Sequence, residues 1–232
     1  MSKYGILGYG IVGKATHVTF LKNENPIIVD KGDSLTELLK CEYVFICLPS
    51  NDENDLVELF KYSKALKTVI IRSTVPVNFC RGLKKDNLIY IPEFLRETSW
   101  RTDCKKSPYI IASNIGIPSF IKVKYKEMTF EEAEITKLMS NAYNSLRIVF
   151  ANHMYDLAKE TKSDYDNILK AHNAVKHNDS YLHCHEYLRG FGGKCLPKDL
   201  DHLIKNMKEM NLDETLLTSI KNDNAKWKTT IF

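Results

Sequence analysis

The 232-residue sequence is short of the features that mark secreted, membrane-bound or unfolded chains. Seven prolines, 44% hydrophobic and 27% charged residues exclude a collagen-like repeat and argue against disorder. No long apolar run is present. The purest, 43–48, has six residues, against the roughly 20 needed to span a bilayer. The opening MSKYGILGYG lacks the apolar stretch and cleavage site of a secretory leader. Cysteines stand at 41, 47, 80, 104, 184 and 195, with no C-x-x-C pair and no dense framework. The expectation is a soluble cytoplasmic protein with reduced thiols and no membrane association. Neither sign of charge dominates: 33 Lys and Arg against 29 Asp and Glu leave +4, too little to capture nucleic acid electrostatically. Internal repeats, low-complexity segments and flexible linkers are missing as well.

What is present fits one large or two small domains, at roughly 1.5 times a 150-residue domain. Apolar runs at 3–8, 26–30, 43–48, 68–72 and 88–91 read as strands, and 11–23, 34–40 and 53–65 carry helical spacing. Strands apolar at nearly every position, alternating with helices, predict a doubly wound parallel sheet, an α/β Rossmann domain over 1–129. From 130 to about 161 there is neither Gly nor Pro, and Ile135, Leu138, Met139, Ala142, Leu146, Val149 and Phe150 recur at helical spacing. A helix of about 45 Å is expected there, with Thr129 as its N-cap and Glu132 at the capping-box position. Helices at about 164–173, 198–209 and 214–228 complete an α-helical domain over 130–232. The stretch 122–126 alternates lysine with apolar residues, as a half-exposed strand would.

Four segments carry chemistry. Gly8-Tyr9-Gly10-Ile11-Val12-Gly13 follows a strand and opens a helix. Its glycines suit a tight turn, close approach of a pyrophosphate, and helix–strand packing, with the helix N-terminus facing the phosphates. Asp30, 22 residues past Gly8, is placed to accept the ribose hydroxyls and to repel a 2′-phosphate, which selects NAD. Lys137 and Asn141 are four apart on the long helix, where a cation and an amide can stabilise an oxyanion; a solvated helix face is the alternative. In GFGGKCLPKD (190–199), three glycines precede Cys195 just ahead of a helix start, with Lys194 and Lys198 supplying charge that favours a thiolate and Asp199 one turn on. Either a nucleophile or an inert cysteine in a glycine-rich turn fits this pattern. Pro92-Glu93-Phe94-Leu95-Arg96-Glu97, Ser73-Thr74 and Pro49-Ser50 fall at carboxyl ends of strands, the ligand-binding edge of open α/β sheets. His183-Cys184-His185, near His177, lacks a second ligand pair at zinc spacing, so no metal is expected. Trp100 and Trp227 read as packing or interface residues.

Taken in order, GYGIVG, RSTVPV (72–77), PEFLRE (92–97), E-A-E-x-x-K-x-x-x-N (132–141) and GFGGKCLPKD resemble the UDP-glucose/GDP-mannose dehydrogenase family. The resemblance implies oxidation of a sugar C6 alcohol to the carboxylate with two NAD. Cys195 would attack the C6 aldehyde to give a thiohemiacetal, a second hydride transfer would leave a thioester, and water would hydrolyse it. Lys137 and Asn141 would stabilise oxyanions; Thr74, Glu97 and Asp199 would hold the water or act as base. Gly8, Gly10, Ile11, Val12, Gly13, Asp30, Ser50, Thr74, Glu97 and Lys198 would line the cofactor. Glu93, Phe94, Leu95, Arg96, Lys137, Asn141, Tyr187 and Gly192 would meet the nucleotide-sugar substrate. The long helix would form a homodimer core.

Departures accompany the resemblance. Family members usually exceed 400 residues through a second nucleotide-gripping domain, so a truncated form is expected. Asn78 and Thr98 replace glycines, His153 stands where an acid commonly follows Asn152, 112–121 is too short for the family's helix there, and Asp179 lies near the place of a lost arginine. Two other readings stay open: a single-step β-hydroxyacid-type dehydrogenase, and a catalytically inactive NAD-binding module.

Overall fold

A computed structural model describes residues 3–30, 33–106, 108–175, 184, 187, 189–193 and 195–227. The apolar runs form strands β1 (Tyr4–Leu7), β2 (Ile27–Val29), β3 (Tyr43–Ile46), β4 (Thr68–Ile71) and β5 (Leu88–Tyr90). They pair in parallel, with Ile6 opposite Ile28 on one side and Phe45 on the other. Two further strands, β6 (Tyr109–Ser113) and β7 (Tyr125–Glu127), extend a seven-stranded sheet of order β2-β1-β3-β4-β5-β6-β7. β6 runs antiparallel to β5 and is parallel to β7.

Strand residues alternate between two buried clusters, as period-two side chains require. Leu7, Val44, Ile46, Val69 and Ile71 face one way, while Ile6, Phe45, Ile70 and Ile89 face the other. Helices α1 (Ile11–Phe20), α2 (Glu53–Ala65), α3 (Phe79–Leu83) and α4 (Trp100–Asp103) occupy the connections. The fold class is the expected one, an α/β doubly wound sheet followed by helices. The strand order reverses between β1 and β3, which puts the ligand crevice of such sheets at their carboxyl ends.

Several details differ from the sequence reading. The 34–40 segment closes as a 3₁₀ turn (Leu35–Lys40), started by Ser34 Oγ accepting from Thr36 N; 3₁₀ geometry is common in short connecting segments. The first helix ends at Phe20 instead of 23. The exposed strand occupies Tyr125–Glu127, with all three side chains in solvent, and β6 had no counterpart among the strand candidates.

The following helices are α5 (Phe130–Glu160), α6 (Tyr165–Val175), α7 (Leu196–Glu209) and α8 (Thr215–Asn224). α5 has 31 residues, about 46 Å at 1.5 Å each. Its capping box forms as read: Thr129 N donates to Glu132 Oε2 at 2.8 Å, and Glu132 N donates to Thr129 Oγ1 at 3.3 Å. The compact units are residues 1–137 and 138–232, so the division falls inside α5. The second unit's main core joins Ala142 and Val149 of α5, Phe191, Leu200 and Ile204 of α7, and Ile220 of α8. Among the described residues, no helix is long and apolar enough to cross a membrane.

Candidate functional site

The loop after β1 is shaped by its glycines. Gly8 has φ +88°, and a Cβ there would lie 2.8 Å from Cys47 O; a Cβ on Gly13 would lie 2.1 Å from Gly8 O. Gly10, by contrast, meets nothing within 4 Å. Helix α1 therefore sits hard against the strand at Gly13 while the backbone at Gly10 faces open space. Gly10 caps α1 with no side-chain hydrogen bond, and the first turn, with half-buried Ile11 and Val12, carries no acidic residue. Its leading N–H groups have no acceptor within the helix. Asp30, exposed at the end of β2, accepts from Tyr9 N at 3.4 Å, and its own N–H donates to Asp33 Oδ2 at 2.9 Å. Open backbone, an uncapped helix terminus and an exposed carboxylate fit a dinucleotide's pyrophosphate and ribose. Gly13→Ala should cost about 1–3 kcal/mol through overpacking, seen as a lowered thermal midpoint together with weakened dinucleotide binding.

Around this loop, Ser50 and Thr74 are buried at the ends of β3 and β4. Ser73 Oγ donates to Leu48 O at 2.7 Å and ties these two loops together. Glu97 is exposed. Arg96 is clasped by Asp103 through Nε at 2.9 Å and a terminal nitrogen at 2.8 Å, so part of its donor capacity serves the loop's own shape. That clasp, with burial opposing it, holds the Asp103 carboxyl well below its ordinary range.

The strongest electrostatic feature of the first unit is a buried ion pair. Lys137 Nζ donates to Glu93 Oε1 at 3.2 Å, with side chains 3% and 10% exposed. Burial alone would raise the Glu93 carboxyl. The Lys137 ammonium, the Leu95 N–H at 2.6 Å and the Arg72 charge outweigh it and hold Glu93 below its ordinary value. Lys137 also lies over the Phe94 ring, 5.3 Å from its centroid, and Leu95 is half-buried.

Two buried polar residues escaped sequence reasoning. Arg72 donates from Nε to Thr16 Oγ1 and from a terminal nitrogen to Ile91 O, with Phe20 and Tyr109 rings beside it. Glu134, fully buried, accepts from Asn78 N at 2.7 Å and Cys80 N at 2.8 Å. It thereby anchors the segment that follows Thr74. Glu134 sits one turn before Lys137 in an apolar helical stripe, and a carboxylate in such a stripe was the available signal. Asn78 has φ +69°, a left-handed conformation that asparagine tolerates best after glycine, which accounts for its replacing one.

In the second unit, Cys195 is exposed at the N-cap of α7, with Pro197 in the first turn. The helix begins at Leu196, two residues earlier than expected, so the thiol stands at the helix terminus itself. Asp199 N donates to Cys195 O at 2.9 Å. The Asp199 side chain is fully buried, accepts from Asn141 Nδ2, and pairs with Lys198 Nζ at 2.6 Å. Asn141 is itself buried, and its carbonyl accepts from Ser145 Oγ at 3.0 Å. Cys195, Lys198, Asp199 and Asn141 thus form one connected group. Gly192 is half-buried and Tyr187 is 80% exposed. Lys194 and the loop residues His177, Asp179, His183 and His185 lie outside the described residues. Among the described residues, no three His, Cys, Asp or Glu side chains are grouped as metal ligands. Trp227 packs edge-on against His153, and Trp100 lies under Arg101.

A sheet that reverses at β1 and β3, a glycine loop opening α1 and a carboxylate ending β2 define a Rossmann-type dinucleotide-binding protein. Residues 131–226 match the central domain of the UDP-glucose/GDP-mannose dehydrogenase family. A UDP-glucose 6-dehydrogenase from Campylobacter jejuni is 31% identical over 172 residues, covering 67% of this chain and 43% of that protein. The match therefore spans less than half of that relative's length. A UDP-glucose dehydrogenase from Pyrobaculum islandicum superposes with a TM-score of 0.79 at 22% identity, covering 97% of this chain and 68% of that one. A 3-hydroxyisobutyrate dehydrogenase from Mycobacterium tuberculosis gives 0.75 at 13% identity, covering 97% and 93%. At these identities the two structures speak to the fold. Similarity to a dehydrogenase family implies a nicotinamide cofactor in general.

Proposed function

We propose that this chain is an NAD-dependent nucleotide-sugar dehydrogenase that takes a C6 alcohol through the aldehyde to the carboxylate. The observation that carries the reading is the group formed by exposed Cys195 at the start of α7 with buried Asp199, Lys198 and Asn141. An exposed thiol at a helix N-terminus is favoured as thiolate. A buried carboxylate tied to an amide and an ammonium is costly unless its neighbours use it.

NAD is the form that Asp30 admits, held by Gly8, Gly10, Ile11, Val12, Gly13, Ser50, Thr74, Glu97 and Lys198. When bound it supplies the two-electron acceptor for each oxidation. Cys195 adds to the aldehyde carbon, and the oxyanion of the thiohemiacetal is stabilised by the Lys137 ammonium and the Asn141 amide. Asp199, by accepting from Asn141, fixes the direction of that amide. Loss of two further electrons leaves the acyl group as a thioester on Cys195. Water held by Thr74, Glu97 and Asp199 releases it as the acid. The thioester retains the acyl group between the two oxidations. Glu93, Phe94, Leu95, Arg96, Tyr187 and Gly192 complete the substrate contacts.

The same reading includes a homodimer. Ile135, Met139, Tyr143, Phe150 and Leu157 are each at least 46% exposed along α5, at spacings of four and seven. Those spacings make one apolar stripe, which a second copy of the chain would cover. The reaction is assigned to the cytoplasm.

The test is NADH formation from NAD with UDP-glucose, UDP-N-acetylglucosamine, UDP-galactose and GDP-mannose. Turnover of at least one, with NAD strongly preferred to NADP, is the expected result; no turnover of any would overturn the proposal.

A further inference from the structure

The backbone just ahead of Cys195 is gripped from two helices. Asn152 of α5, 1% exposed, turns its Oδ1 to the loop and accepts from Arg189 Nε at 2.7 Å, Gly190 N at 3.1 Å and Cys184 Sγ at 3.5 Å. Its Nδ2 donates to Ile148 O at 2.6 Å, which settles which end of the amide faces the loop. Asn224, the last residue of α8, pairs with both polar groups of one residue. Its Oδ1 accepts from Phe191 N at 2.7 Å and its Nδ2 donates to Phe191 O at 2.9 Å. The Phe191 ring is buried among Leu200 of α7 and Ile220 of α8. Arg189 reaches past Asn152 to Asp156 at 2.7 Å and lies over the Tyr155 and Trp227 rings.

On the far side, Cys195 O accepts from Asp199 N, so α7 holds that end. The span that these anchors hold is glycine-rich, and Gly190 and Gly193 have φ of +68° and +74°. A glycine-rich span left loose would retain about 1–2 kcal/mol of conformational entropy per residue, and its thiol would wander. The geometry points to Asn152 and Asn224 as positioning residues that fix where the Cys195 sulfur is presented. This inference rests on the proposed role of Cys195 as nucleophile, and neither asparagine belongs to the reacting set.

The experiment uses the full chain and two readouts: the rate of iodoacetamide labelling at Cys195, followed on its own peptide under native conditions, and steady-state kinetics with the accepted nucleotide sugar. Asn224 is half-buried, so Asn224→Ala is expected to fold with a thermal midpoint near wild type. Labelling should slow about tenfold as the thiol leaves the helix terminus. kcat should fall about 100-fold with KM unchanged, the effect of misplacing a reacting group by about 1 Å. Asn152→Ala removes the acceptor toward Arg189 and Gly190 and should slow labelling in the same direction. If Asn224→Ala does not fold, Asn224→Ser carries the test with the same ordering of rates. A folded Asn224 variant with wild-type labelling overturns the inference, as does a folded Asn152→Ala that labels at the wild-type rate. Failure of the functional proposal looks different: no nucleotide sugar is turned over, or Cys195→Ser still makes acid, while the labelling rates still judge the two asparagines.

Discussion

Cys195→Ser is expected to stop acid formation, lowering its rate on the order of 10³-fold or more, the scale on which loss of an enzymic nucleophile is felt, without moving the thermal midpoint. The side chain is exposed, so oxygen for sulfur disturbs no packing. What changes is chemistry: a serine hydroxyl at the same place is barely ionised near neutral pH, and no acyl thioester can form. Four of the other five cysteines are held as thiols. Burial raises the Cys47 and Cys184 thiols to about 11 in each case, and raises those of Cys41 and Cys80 as well. They remain protonated where Cys195 is expected to act. Product analysis by mass spectrometry checks the result, since the first oxidation, which needs no thiol, should continue to the aldehyde.

Lys137→Met should have the largest effect on stability. It leaves a carboxylate without the ammonium that balances its burial, and breaking one side of a buried pair costs about 3–5 kcal/mol. In the wild type, Glu93 titrates below its ordinary value of 4.5. Its contribution is fully present above 4.5 and lost as pH falls through the depressed folded-state value. Without Lys137 the burial contribution dominates and the sign reverses. Glu93 then titrates above its ordinary value, so the variant gains stability on mild acidification while the wild type does not. Denaturant unfolding of both at neutral and mildly acid pH reads this directly. Lys137→Met combined with Glu93→Gln should regain most of the loss, because the unpaired charge is gone. An additive double variant would contradict the account.

Much of this architecture can be read from local pattern. The apolar runs around Ile6, Phe45 and Ile70 are buried on both faces and therefore lack polar alternation. Thr129 and Glu132 announce α5 because a capping box is satisfied within four residues. Cys195 at a helix start follows from Pro197, which suits a first turn. Strand β6 was not legible, since Tyr109–Ser113 is a short apolar run whose state is decided by pairing with β5 and not by its own period. Arg72, Glu134 and Asn152 were missed for a related reason. Their side chains are buried by partners 19 to 56 residues away in sequence, and only Glu134, by its place in an apolar stripe, carries a local sign of being interior. Asn224 had the same handicap, since its partner, Phe191, lies 33 residues back.

The claim on which the rest depends is that one chain performs both oxidations through a sulfur-bound acyl group. Counting NADH released per nucleotide sugar consumed tests it most directly. Two per sugar, with the carboxylate as sole product, is the predicted result. One per sugar, with the reaction ending at the aldehyde or at a ketone, would contradict it.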